Sequence, residues 1–154
     1  MTPWLSRPLA RMLRVWGLLT RSMTLGARIV ALDEEGRVFL VRHGYREGWY
    51  MPGGAVDPGE TALEAVVREA REEGNLVCEV TPVLVSVLYN RREGRDHVLV
   101  YRCDRVRQTA PRKADWEIAE SGFFALDALP EGTTPATRRR LAEVLGGEPP
   151  AEDW

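Results

Sequence analysis

The chain is poor in the features that would place it quickly in several classes. It has two cysteines, Cys78 and Cys103, and two histidines in 154 residues. Two cysteines cannot build the disulfide framework of a small secreted domain, and neither has a second ligand at zinc-site spacing. Free thiols in a reducing compartment are the expectation, and with it a cytoplasmic location. No apolar run reaches the ~20 residues of a membrane-spanning helix. Lys and Arg number 21 against 23 Asp and Glu, for a net charge of -2. That balance lacks the basic excess of a general nucleic-acid binder, so no stable nucleic-acid partner is expected. No internal repeat is present, and the length suits one domain with a proper core.

Acid is also missing from the first 32 residues, which carry Arg7, Arg11, Arg14, Arg21 and Arg28. From Pro8 to Arg21 the helical period is clean. Leu9, Met12, Leu13, Val15, Trp16 and Leu19 share one face, opposite the first four arginines. The arginines interrupt every apolar stretch, so this is no secretory signal. Three readings stay open: a helix docked on the domain or across a homodimer, membrane-surface contact by residues 8–21, and a transit segment. The expected organisation is an amphipathic helix over 1–23, one domain over 24–146 and a flexible tail over 147–154.

Strands are expected from Thr24 to Leu32 and from Arg37 to His43, around a turn at Asp33–Gly36. Val77 to Tyr89 reads as a long strand bent or broken near Pro82. A polar hairpin tip carrying Arg91, Arg92 and Arg95 follows, and the chain returns over His97–Val106. A polar loop over Lys113–Ala119 precedes a short strand at Gly122–Ala125. Thr134-Pro135 starts a last helix, with Pro in its favoured first position.

The most informative stretch is Gly54 to Leu76, a tight loop followed by a helix. Thr61 and Glu64 form a capping box, and Ala, Leu, Glu and Arg then favour helix as far as Glu73. At ~100° per residue, Leu63, Val66, Val67 and Ala70 share an arc. Glu69, Glu72 and Glu73 share another, which is expected to be a separate acidic face. Like charges at this spacing disfavour an isolated helix by about 0.2–0.5 kcal/mol per pair, and a hard divalent cation reverses that sign. Gly53-Gly54 lets backbone approach a ligand closely, and Pro58-Gly59 supplies a turn. A solvated acidic face paired with Arg68 and Arg71 is the plain alternative.

Gly54, Glu60, Arg68, Glu69, Ala70, Glu72, Glu73 and Leu76 stand at the positions of the Nudix hydrolase signature. That signature reads G, five residues, E, seven residues, R-E-apolar-x-E-E-x-G-apolar, and the chain resembles the family on these residues. One position departs, Asn75 for Gly. Asn is the next most tolerant residue of a left-handed cap.

The resemblance implies an α/β fold, the α/β/α sandwich around a mixed β-sheet. It also implies metal-dependent hydrolysis of a diphosphate linkage in a small nucleoside diphosphate-X substrate, with Mg²⁺ or Mn²⁺ held by Glu69, Glu72, Glu73 and the Gly54 carbonyl. Arg68 would orient the carboxylates. Glu73 is the first choice of general base, with Glu72 beside it and Asp115, Glu117 and Glu120 as later candidates. Arg42, Trp49, Tyr50 and Gly53 are the candidate substrate contacts, with core packing an equal reading for Trp49 and Tyr50. His43 and His97 receive no role. Two further readings are a non-catalytic nucleotide-binding module of the same fold and an RNA 5′-end pyrophosphohydrolase. No subfamily mark identifies the substrate.

Overall fold

The computed structural model describes residues 22–154 together with Met12, Leu13, Val15, Trp16, Gly17 and Thr20. Those six are helical, and Met12, Leu13, Val15 and Trp16 are exposed. Leu9, Leu19 and the four arginines of the expected amphipathic helix lie outside the described residues.

The domain is built on β1 (Thr24–Ala31) and β2 (Val38–His43). Their alternation is apolar on both sides, as a strand covered on two faces requires. Ala27, Ile29, Ala31, Phe39 and Val41 face one core. Val30, Leu32, Val38 and Leu40 face another. The first core is closed by Val66 and Ala70 of α1 (Ala62–Gly74). The second is closed by Leu141 and Val144 of α2 (Pro135–Gly146). A helix on each side of the strands gives the expected sandwich.

The main sheet runs β4 (Gly53–Ala55), β1, β7 (Asp96–Cys103), β6 (Val83–Asn90). It is mixed: β1 is parallel to β7, while β4 on β1 and β6 on β7 are antiparallel. A second sheet places β2 between β3 (Trp49–Tyr50) and β9 (Ile118–Phe124). The expected long strand 77–89 is two strands in different sheets. Pro82 separates β5 (Leu76–Cys78), which pairs with β8 (Val106–Gln108), from β6. Proline cannot donate to a ladder, so the chain changes partners there. β9 begins at Ile118, inside the expected polar loop, because Ile118 itself belongs to the first core.

Of residues 147–154, expected as a flexible tail, Glu152, Asp153 and Trp154 lie against β6. Tyr89 donates its N–H to Glu152, and Trp154 donates to Tyr89 at 3.0 Å. Arg91 pairs with Asp153, and the fully buried Arg140 donates to the Asp153 carbonyl at 3.0 Å. Cys78 and Cys103 are free, with Cys103 donating to the Val80 and Arg105 carbonyls. No described helix is long and apolar enough to cross a membrane.

α1 has the capping box its sequence predicts. The Thr61 hydroxyl accepts from the Glu64 N–H, and the Glu64 carboxylate accepts from the Thr61 N–H at 2.7 Å. Thr61→Ala is therefore expected to cost about 1 kcal/mol of stability by urea denaturation; an unchanged midpoint would show the cap to be redundant. At the other end Asn75 takes the left-handed cap at φ 53°. Gly74 is needed for another reason. A Cβ there would lie 2.6 Å from the Phe39 ring, so the helix could not close on β2.

Candidate active site

The helix buries a wider arc than its apolar residues mark out, shifted towards the acids. Ala65, Val66, Ala70, Glu73 and Gly74 are buried, whereas Val67 is exposed. Plotted at ~100° per residue, Glu69 and Glu73 lie between Ala65 and Val66, inside the buried arc. The expectation of a separate acidic face is thus corrected. Only Glu72 is exposed, and Glu73 is 4% exposed.

The Gly53-Gly54 loop lets two carboxylates in. The Gly53 N–H donates to Glu73 Oε2 at 2.8 Å. The Glu69 carboxylate occupies the space that a Gly54 side chain would fill. Burial is the leading reason that Glu73 is pushed up to about 7, and the nearby Glu69 and Glu117 carboxylates add to it. Glu69 is raised chiefly by burial too, against the pull of Arg68. Two desolvated carboxylates that repel each other at a glycine loop are an electrostatic demand for a cation.

Arg68 ties the remaining acids together. Its guanidinium donates to Glu60 at 2.8 Å, to Glu69 at 2.7 Å, to Glu72 at 3.2 Å and to the Ala55 carbonyl at 3.2 Å. These bonds raise Arg68 further and hold Glu60 below the usual carboxylate range. Among the described residues no three acidic, His or Cys side chains are gathered as a ready metal cluster. The donor set of Glu69, Glu73 and, through Arg68, Glu72 nevertheless fits a hard divalent ion. It is all oxygen, partly desolvated and over-charged.

The structure sorts the other candidates. Trp49 is buried in the second core, edge-on to Phe124 at 4.9 Å between ring centroids. Arg42 projects on that same side of β2, over Trp49, and pairs with Glu120 at 2.8 Å. Neither is brought to the carboxylates, and Glu120 is occupied with Arg42. Asp115 accepts from the Ile118 and Glu117 N–H groups and pairs with Arg112, which hold it low. It is a turn-former. Of the three later base candidates, Glu117 is the one whose charge is felt at Glu73. Tyr50 does line the cavity beside Gly54.

Three residues without an assigned role from sequence stand at this site. His43 Nε2 lies 3.7 Å from Glu73 and accepts from Arg46 at 2.7 Å. Burial above all, then Arg46 and Arg28, holds its pKa down at about 4, so the ring is neutral at pH 7 and its contact with Glu73 is not an ion pair. Arg46 also covers the Tyr50 ring at 3.9 Å. Arg28, on β1 opposite Gly53, is within electrostatic reach of Glu73, Glu69 and Arg46. The signal for Arg28 was present in the sequence as one charge between Ala27 and Ile29 in an apolar strand. His43 and Arg46 gave none.

Comparisons with known proteins fit this geometry. The NUDIX domain family model matches residues 23–145. The chain is 43% identical over 104 residues to the human 8-oxo-dGDP phosphatase NUDT18, which covers 66% of this chain but 32% of that protein. It is 31% identical over 105 residues to an ADP-ribose pyrophosphatase of Methanocaldococcus jannaschii, covering 65% of this chain and 61% of the relative. The chain thus spans about a third of the NUDT18 relatives' length. The crystal structure of a MutT NUDIX hydrolase from Burkholderia pseudomallei superposes with a TM-score of 0.67 at 30% identity, covering 80% of this chain and 98% of that one. The box residues, the sandwich and these matches together place the chain in the Nudix hydrolase family.

Proposed function

We propose that the chain is a metal-dependent pyrophosphohydrolase that cleaves a diphosphate linkage in a small nucleotide-like substrate of the nucleoside diphosphate-X type. The observation that carries this reading is the buried Glu73, held by the Gly53 N–H beside the Glu69 carboxylate at Gly54. A divalent ion, Mg²⁺ or Mn²⁺, would be held by Glu69, Glu72 and Glu73 with the Gly54 carbonyl. It would supply charge neutralisation and a bound water of lowered pKa.

The chain's own residues do the rest. Glu73, kept basic enough by burial, takes a proton from the attacking water. Arg68 fixes Glu60, Glu69 and Glu72 so that their oxygens need not reorganise. Tyr50 frames the cavity beside the loop. A cytoplasmic location, in keeping with the two free thiols, belongs to the same reading.

The test is a turnover screen by mass spectrometry with Mg²⁺, with Mn²⁺ and with chelator. It would cover nucleoside di- and triphosphates, nucleotide sugars, ADP-ribose, dinucleoside polyphosphates and coenzyme A. Cleavage of a diphosphate that chelator abolishes is the expected result. Cleavage unaffected by chelator would overturn the metal requirement. Silence from folded protein would favour a non-catalytic binding module.

A further inference from the structure

We propose that Arg28 and Arg46 form a paired-guanidinium subsite for a terminal phosphate, and that the substrate is therefore a nucleoside di- or triphosphate with a free phosphate end. The proposal rests on the hydrolase reading and narrows it. A diphosphate closed by an organic group at both ends is the class it disfavours.

The two arginines line one cavity of about 610 Å³, together with Tyr50 and Gly54. That volume is in the ~300–1,000 Å³ range of small-ligand sites. Gly54 is where the cavity meets the carboxylates, since Glu69 lies against it. Each arginine carries a buried nitrogen with no hydrogen-bond partner among the described residues, Arg28 Nη1 and Arg46 Nε. Burial lowers the Arg28 pKa, and the charge of Arg46 lowers it further against the opposing pull of Glu73 and Glu69. Two like charges with orphaned donors in one cavity are costly. The fully buried Arg140 likewise leaves its Nε without a partner, but its other two nitrogens have the Asp153 carbonyl and the Glu143 carboxylate.

Glu69 and Glu73 answer that demand by charge but not by hydrogen bonds. They lie within electrostatic range of Arg28. Yet Glu73 Oε2 is spent on Gly53, and Glu69 on Arg68. What the pair lacks is an anion with several acceptor oxygens on the cavity side. Arginine's fork suits phosphate.

Charge then selects the kind of phosphate. A free phosphoryl end, like a phosphate monoester, carries about −1.5 to −2 near neutrality, with a second pKa of about 6. Each phosphorus of a diphosphate bridging two organic groups carries a single charge. A pair of guanidiniums, that of Arg28 desolvated and that of Arg46 with its Nε buried, matches the former. The cavity continues to Leu25, Val98, Asn90, Asp96 and Trp154, a wall of mixed polarity that suits an organic moiety.

Calorimetry with non-hydrolysable probes tests this without turnover. The probes are adenosine and guanosine α,β-methylene diphosphates, which keep a free phosphonate end, and α,β-methylene ADP-ribose, which does not. Binding is measured with Mg²⁺ on the wild type, Arg28→Gln, Arg28→Lys and Arg46→Gln, each checked by its melting curve. The expected result is a 10- to 100-fold loss for the free-ended probes in both Gln variants, and less than threefold for the ADP-ribose probe. Arg28→Lys, which keeps the charge and loses the fork, falls between. Equal loss on all probes, no loss in folded variants, or no wild-type binding of either free-ended probe would overturn the subsite. Should Arg28→Gln fail to fold, Arg28→Lys and Arg46→Gln still decide. Metal-dependent hydrolysis without this discrimination sinks the subsite and leaves the hydrolase. The discrimination without any hydrolysis does the reverse.

Discussion

Glu73→Gln is expected to lower turnover on the order of 10²–10⁴-fold while leaving the chain folded. The change is nearly isosteric, and the amide oxygen can still accept the Gly53 N–H that Glu73 now takes at 2.8 Å. What it removes is the group's ability to accept a proton. Near-normal turnover with a normal melting curve would take Glu73 out of the mechanism.

The same variant carries a pH signature in metal-free buffer. The folded chain holds Glu73 up at about 7, mainly by burial, from an ordinary value of 4.5. At Glu73 the native state binds more protons than the unfolded chain between those values, so its contribution to stability falls as pH rises through the window and then levels off. Gln has no such cost. Glu73→Gln is expected to be the more stable protein at pH 8 by about 1–3 kcal/mol, with the gap closing towards pH 4.5. His43, lowered from 6.5 to about 4, adds an opposite slope between those values because the unfolded ring binds the proton there, but that contribution is common to both proteins and cancels in the difference between them. A gap that stays constant with pH would show that Glu73 is ionised without penalty.

Much of the site is legible in the sequence because it is carried by spacing along one helix. The capping box, the left-handed Asn75 and the gathering of acids around Arg68 all follow from residues within one 15-residue stretch. Which acids are buried does not follow. Periodicity ranks Val67 as core and Glu73 as surface. The structure reverses them because the Gly53 N–H, from a segment twenty residues away, satisfies the carboxylate. Trp49 gave the opposite problem. An aromatic beside a glycine loop suits a pocket mouth, but β3 pairs with β2 and turns that ring towards Phe124. Arg28 and Arg46 come to one cavity from β1 and from the turn after β2, strands of two different sheets, and only tertiary packing brings those segments together.

Gly53 and Gly54 are adjacent and chemically identical, yet their alanine variants are expected to fail in different ways. A Cβ at Gly53 would collide with the Ala27 carbonyl and with the Arg28 Cα on the neighbouring strand, and its φ of 145° is one that side chains rarely adopt. Both obstacles are backbone of β1 within the β4–β1 ladder, so neither can step aside. Overpacking and backbone strain each cost about 1–3 kcal/mol. Gly53→Ala should therefore lose some 3–5 kcal/mol and melt roughly 10 °C or more lower. At Gly54 the obstacle is the Glu69 carboxylate, the end of a flexible side chain. Gly54→Ala should melt within about 1 kcal/mol of the wild type by swinging Glu69 away. It should then lose metal-dependent turnover, because the displaced carboxylate belongs to the proposed ligand set. Melting curves and turnover on the two variants separate a glycine that the fold needs from one that the chemistry needs. Equal melting losses in both would show that the Gly-Gly pair serves the strand contact alone.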